Sequence, residues 1–216
     1  MKFKQSEVMK TINHHYINGQ FVQSKGKELL DLINPSNKMV IGQLTLGNEE
    51  DARDAIKAAK EAFKSWSKTS IEERSMYLQR LSDAILARME EHLEVMMEEY
   101  GGRPIGVAKF SVQGAANAYL AAKSLLGEIE FFKDFSGATV TQKPLGVAAL
   151  ITPWNQDIFG MSIKIAPAIA AGCTVVIKPS ELSGLQTQVF MECIDAAKLP
   201  AGVINICERS RHCGGE

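Results

Sequence analysis

Two apolar runs in this 216-residue chain each end in side chains that could hold a nucleotide. One is Gly146-Val-Ala-Ala-Leu-Ile-Thr-Pro-Trp-Asn155, and the other is Val175-Val-Ile-Lys-Pro-Ser-Glu181. Each reads as a buried strand running straight into a polar loop. Set side by side, they would bring Thr152, Asn155, Lys178, Ser180 and Glu181 into one polar pocket at the edge of a parallel sheet. Nucleotide sites in open α/β sheets form at such strand ends. Each residue also has a plainer reading. Asn155 could be a turn residue capping the next helix, Lys178 a surface lysine at a strand end, and Trp154 part of the core.

The elements around these loops must place them. Val147 to Ile151 is continuously apolar, the pattern of a strand covered on both faces. Thr174 to Ile177 repeats it, and Gly202-Val-Ile-Asn-Ile206 reads as a third strand. Helix candidates lie between, at Ile158 to Ala171 (interrupted by Pro167) and Leu185 to Lys198. This alternation implies parallel pairing with right-handed crossovers. The third strand, Val203 to Ile206, is expected to present a raw edge where further strands would belong.

Upstream, Tyr16 to Val22 predicts a β-hairpin turning at Asn18-Gly19. Leu29 to Ile33 and Met39 to Leu44 predict two more strands across Asn34-Pro35-Ser36-Asn37. Asn48, followed by Glu49, Glu50 and Asp51, predicts a capped helix whose buried stripe is Ala52, Ile56, Ala59, Phe63 and Trp66. Ser70-Ile-Glu-Glu73 is a capping box. The stripe Leu78, Leu81, Ile85, Met89, Leu93 and Met96 predicts one helix ending at Gly101-Gly102, with Pro104 beyond. Val107 to Leu126 predicts another helix. Ala138 to Lys143 alternates like an exposed strand, and the composition shifts near residue 140.

Bulk properties exclude several classes. The chain is 45% hydrophobic and 23% charged, with a net charge of -1. That balance gives no electrostatic case for nucleic acid or an anionic membrane. No run approaches the roughly 18–20 apolar residues of a membrane span, and Met1-Lys-Phe-Lys-Gln-Ser-Glu has no signal-peptide core. A cytoplasmic protein is expected. The four cysteines, Cys173, Cys193, Cys207 and Cys213, form no CxxC pair, so no metal site is expected. Cys173 and Cys193 sit among apolar residues as core thiols.

Taken in order, Thr152-Pro-Trp-Asn155, Ala171-Gly172, Lys178-Pro-Ser-Glu181 and Leu199-Pro-Ala-Gly-Val-Ile-Asn205 resemble the NAD(P)-dependent aldehyde dehydrogenase superfamily. Ile17-Asn-Gly19, Asn34-Pro35 and Lys143-Pro-Leu-Gly146 extend the resemblance, which runs from about Tyr16 to Ile206. It implies an oxyanion-hole role for Asn155, whose amide would donate to the oxygen that gains charge when a thiolate attacks an aldehyde. It implies that Lys178 contacts the adenosine ribose and that Glu181 accepts from ribose hydroxyls. A carboxylate there repels a 2′-phosphate, which favours NAD over NADP. The loop residues Ile151, Thr152, Pro153, Trp154 and Ser180 are the further cofactor contacts it implies. The substrate implied is a small-molecule aldehyde, oxidised to a carboxylic acid.

The chain also departs from the family pattern. Gln156-Asp157 follow the asparagine where the family has an aromatic or small residue and then proline, and Asp157 is expected to cap the next helix. The family's nucleophilic cysteine and its glutamate belong to a region beyond anything present in this sequence. After Ile206 the chain reads Cys207-Glu-Arg-Ser-Arg-His-Cys-Gly-Gly-Glu216. Shifted by one nucleotide, codons for Ile206 to Gly215 can spell the family-like Val-Asn-Gly-Arg-Gly-Ile-Val-Gly-Ala. Residues 207–216 are therefore read as an out-of-frame tail, so Cys207, His212 and Cys213 receive no functional role.

The expected fold is α/β: an incomplete Rossmann-like parallel sheet with flanking helices and a small N-terminal β segment. Residues 1–140 would hold the hairpin and the helical part of the cofactor domain, with an oligomerisation-type strand near 138–143. Residues 144–206 would form a partial dinucleotide-binding sheet. The expected function is that of an aldehyde dehydrogenase fragment lacking catalysis. The alternative is a non-catalytic nucleotide-binding or oligomerisation module that self-associates through exposed strands.

Overall fold

A computed structural model of the protein describes residues 10–208. The chain opens with β1 (Lys10–Ile12), β2 (His14–Ile17) and β3 (Gln20–Gln23). Asn18 and Gly19 turn β2 into β3 with φ of 54° and 73°, the two positive angles that a tight hairpin turn needs. β4 (Leu29–Ile33) and β5 (Val40–Thr45) follow, with the Asn34 side chain accepting the Ser36 N–H in the turn between them.

These strands do not stay together. β1, β5 and β4 form their own three-stranded sheet, whereas β2 and β3 join the main sheet. The expected N-terminal segment is thus divided between two sheets, and β1 is a strand that the apolar pattern did not announce.

Helices come next: α1 (Glu49–Trp66), α2 (Ile71–Ala87), α3 (Met89–Glu99) and α4 (Ile105–Leu126). Asn48 caps α1 through a full capping box with Asp51, and Ser70 Oγ accepts the Glu73 N–H at the start of α2. The single helix expected from residue 70 to Gly101 is two. Arg88 leaves the helical region (φ -111°, ψ 25°), and its guanidinium pairs with both Glu91 and Glu192. Both helices then pack on α4 and on the sixth helix, with α2 making the larger contact with α4. A stripe at helical spacing continues through such a break, so periodicity alone did not reveal it.

β6 (Phe132–Phe135) and β7 (Ala138–Thr141) pair as an isolated, fully exposed hairpin. The exposed strand expected at 138–143 therefore exists, ends at Thr141, and has a partner that the sequence reading left out.

From β8 (Val147–Ile151) the chain alternates α5 (Asp157–Ala170), β9 (Thr174–Lys178), α6 (Gly184–Ala197) and β10 (Ile204–Ile206). β8, β9 and β10 pair in parallel, in the register Ile151↔Lys178 and Ile206↔Ile177. The five-stranded order is β3-β2-β10-β9-β8. Most large buried side chains, among them Trp66, Leu81, Tyr119, Ile158 and Phe190, form one core between this sheet and the helices.

The order corrects two expectations. β10 is not a raw edge, because β2 lies antiparallel against it at Tyr16↔Ile206. The Glu208 carbonyl also accepts the Gly47 N–H just beyond. The outer strands of this sheet are β3 and β8, and β8 is the one paired in parallel. Thr174 N–H donates to Gly146 and Thr152 N–H to the Lys178 carbonyl, so even-numbered residues of this strand face β9. The backbone groups of Val147, Ala149 and Ile151 consequently point outward. Nor is β8 covered on both faces, since Ala149 and Ile151 are exposed, Ile151 to 68%. An edge strand can be as apolar as a central one, so the run did not tell them apart. β9 fits the covered pattern, with Thr174, Val175 and Ile177 buried.

Candidate functional site

The loops leaving β8 and β9 meet. Ile151 and Lys178 are register partners and therefore point to the same face of the sheet. The Thr152 N–H donates to the Lys178 carbonyl at 3.2 Å. From the second loop, Ser183 Oγ donates to the Trp154 carbonyl at 3.1 Å. These bonds join two stretches of chain that sequence reading brought together by pattern alone.

Residues outside both motifs hold the first loop. Tyr100, just after α3, donates its hydroxyl to the same Trp154 carbonyl at 3.0 Å, and Arg103 donates to the Asn155 carbonyl at 2.9 Å. The Arg103 guanidinium lies 4.1 Å from the Tyr100 ring centroid, and the Tyr100 and Trp154 rings meet edge to face at 6.4 Å. Asn155 is exposed at the tip, its backbone pinned while its side chain reaches solvent. Ile151 and Pro153 are exposed and Trp154 half so, at 50%. Together they make an apolar shelf. Thr152 is buried, and its Oγ1 has no hydrogen-bond partner. α5 begins at Asp157 itself, one residue ahead of the expected start at Ile158.

In the second loop, the Lys178 ammonium donates to Glu181 Oε2 and to the Pro179 carbonyl, each at 3.0 Å. Ser180 is buried, and its hydroxyl accepts the Leu182 N–H at the start of a short 3-10 turn, Glu181–Ser183. Of the eight residues singled out from sequence, Ser180 and Thr152 face inward; the other six border the two loops' surface.

Three residues that the sequence reading did not single out stand behind this surface. Glu99, buried at the end of α3, accepts N–H bonds from Leu185 and Gln186 and from the Gln186 side chain. Burial pushes its pKa up to about 7 against those bonds. Glu208 is also buried. Neither of its carboxylate oxygens has a hydrogen-bond partner at normal geometry, the nearby Thr187 hydroxyl only favouring its ionised form. Burial pushes it up to about 8, with Glu99 adding repulsion. His15 accepts the Glu208 N–H through Nδ1 at 3.4 Å and sets Nε2 3.6 Å from Asp51.

Residues 21–216 match the sequence profile of the Aldehyde dehydrogenase family. The chain belongs to that family. It is 34% identical over 200 residues to a 3-succinoylsemialdehyde-pyridine dehydrogenase of a Pseudomonas species, covering 92% of this chain and 42% of that protein. Among solved structures, aldehyde dehydrogenase C of Pseudomonas syringae, a variant complexed with NAD+ and octanal, superposes with a TM-score of 0.88 at 37% identity. That match covers 92% of this chain and 41% of the other. Betaine aldehyde dehydrogenase of Staphylococcus aureus, in complex with NAD+, gives a TM-score of 0.86 at 30% identity, over 92% and 41% of the two chains. The chain spans about two fifths of the length of the relatives it matches.

The family's chemistry needs a reactive thiol, and the thiols of the described residues are poorly suited to it. Cys173, Cys193 and Cys207 are buried, and none of them is in a disulfide. Cys193 Sγ lies 3.4 Å from His92 Nε2, a pairing across 101 residues that spacing could not reveal. Burial pushes Cys193 up to about 12 and His92 down to about 3, so both are neutral. A thiolate–imidazolium pair is thereby disfavoured. Cys213 lies outside the described residues, as does the tail read as out of frame from residue 209 onward. Among the described residues no group of three His, Cys, Asp or Glu side chains could hold a metal ion, and no helix is long and apolar enough to cross a membrane.

Proposed function

We propose that this chain carries the adenosine half-site of an NAD-dependent aldehyde dehydrogenase. The observation that supports it is the Lys178–Glu181 pair at the C-terminal end of β9, beside the buried, unpartnered Thr152 hydroxyl and the apolar shelf of Ile151, Pro153 and Trp154. These groups fit a nucleoside. A carboxylate accepts from vicinal hydroxyls, an ammonium donates to them, and the shelf suits an adenine ring. Buried Thr152 and Ser180 shape the loops from behind. The Glu181 carboxylate disfavours a 2′-phosphate, so NAD is preferred to NADP. NAD, when bound, supplies the hydride acceptor, and in this reading the exposed Asn155 amide would donate to an oxyanion formed from an aldehyde. A cytoplasmic site of action accompanies this reading.

Because the described thiols are buried and burial pushes Cys193 up to about 12, the 216-residue chain is expected to bind NAD without oxidising aldehydes. Calorimetric titration with NAD and NADP tests the half-site. Folded protein giving no heat with NAD ends the reading. Aldehyde-dependent NADH formation by the purified chain would refute the non-catalytic part.

One observation favours a second reading, an assembly module. The outward backbone groups of Val147 and Ala149 form an open edge, closed at its end by the Lys164 ammonium, which donates to the Ile151 carbonyl. Such edges recruit further strands.

A further inference from the structure

Helix α6 begins without a side-chain cap of its own. Its N-cap residue is Ser183, a preferred capping type, yet no cap bond forms from that side chain. The Ser183 hydroxyl instead donates to the Trp154 carbonyl of the other loop. The cap comes from a distant element. Glu99, the last residue of α3, takes the Leu185 N–H at 2.6 Å and the Gln186 N–H at 3.2 Å, with the Gln186 Nε2 at 2.8 Å. Leu185 and Gln186 are the second and third residues of α6, and these are the N–H groups that an N-cap serine would otherwise satisfy.

We propose that Glu99 is the positioning residue of the two-loop site: by capping α6 from α3 it frees Ser183 to clamp the Trp154 loop. The inference rests on the adenosine reading for its functional consequence, though not for its structural one. Two arrangements need different positions of one hydroxyl, since Ser183 Oγ as placed to donate to Trp154 makes no cap bond to α6. With the Glu99 carboxylate seated, Ser183 bridges to Trp154 and the loops after β8 and β9 are registered. Without it, the orphaned amides draw Ser183 back as an ordinary cap, and the bridge is lost.

All three groups facing the Glu99 carboxylate are donors, so a protonated oxygen would disrupt at least one of the bonds. Its charged surroundings are Lys10 of β1 (paired with Glu98 at 3.5 Å) and Glu208 after β10, with Lys178 of β9 acting on Glu208. Burial holds Glu99 near neutral titration, which sets the exchange between the two arrangements close to pH 7. The same carboxylate fills the anion-attracting end of α6. Lys178 and Glu181 are thereby left to a sugar rather than a phosphate.

The test combines amide hydrogen exchange with titration by adenosine monophosphate, at about pH 6 and about pH 8. In the native chain, protection of the Leu185 and Gln186 amides should fall roughly tenfold at the lower pH, the scale of one charge-assisted hydrogen bond. Adenosine monophosphate affinity should fall by a similar factor. Glu99→Gln should show low protection and weak binding at both pH values. Glu99→Asp should restore part of the pH dependence. Ser183→Ala should keep amide protection at about pH 8 while weakening binding. Protection that ignores both pH and Glu99→Gln, or native binding by Ser183→Ala, would overturn the proposal. A native chain that never binds adenosine monophosphate, yet shows the expected exchange pattern, would remove the adenosine reading and leave the Glu99 cap standing.

Discussion

The Lys178 ammonium lies 3.0 Å from the Glu181 carboxylate, both side chains partly buried at the end of β9. The pair holds each charge ready for a polar ligand and limits the cost of keeping it there. Hydrogen bonds to charged groups contribute about 1.5–3 kcal/mol. Lys178→Ala is therefore expected to weaken NAD binding by roughly ten- to a hundredfold. Calorimetry, with circular dichroism to confirm the fold, measures this; unchanged affinity would remove Lys178 from the site.

Glu181→Gln separates recognition of the ribose from exclusion of phosphate. The amide can still accept from one hydroxyl, so NAD should lose less than tenfold, on the order of 1 kcal/mol. NADP should gain, because the repelling charge is gone. The ratio of the two affinities is the readout. A preference that stays constant would mean that other groups set the cofactor choice.

Much of this was legible in advance, and the reasons differ by element. Asn18-Gly19, Asn48 and Ser70 act through bonds within a few residues, so local sequence reveals them. The strands β8 and β9 were found by their apolar runs, and their loops by the polar residues that follow. What stayed hidden depended on contacts across the chain. Tyr100, Arg103 and Glu99 act on loops 52 to 87 residues away. Nothing in their local pattern marks them. The break at Arg88 reflects partners on α3 and on α6. The open edge of the parallel strands was assigned to β10 rather than β8 because composition does not tell which neighbour a strand has.

That open edge supports a substitution test. The Ala149 N–H points away from β9, so Ala149→Pro sacrifices no bond within the sheet, and proline is tolerated at such edge positions. If the chain self-associates through β8, Ala149→Pro should lower the association measured by analytical ultracentrifugation and leave the melting temperature nearly unchanged. Ala148→Pro, which removes a bond to β9, should destabilise the fold by about 3 kcal/mol or more. Association equal in the native and Ala149→Pro chains would exclude this edge as the interface.

Glu208 should make the protein less stable as pH rises past neutral. Its pKa, ordinarily 4.5, is pushed up to about 8 by burial, and that of Glu99 to about 7. Between the unfolded and folded values the native state keeps a proton that the unfolded chain releases, so stability falls as pH rises through that window. His92, pushed down to about 3 from 6.5, acts with the opposite sign but only below about 6.5. The interval from about pH 6.5 to 8 therefore reports the two acids. The melting temperature should fall across it, and Glu208→Gln should raise that temperature more at pH 8 than at pH 6.5. Each unit of the shift is worth about 1.4 kcal/mol, and each kcal/mol moves the midpoint of a domain this size by about 2–4 °C. Calorimetric scans showing constant or rising stability over that interval would mean that Glu208 is solvated or paired in solution rather than buried against Glu99.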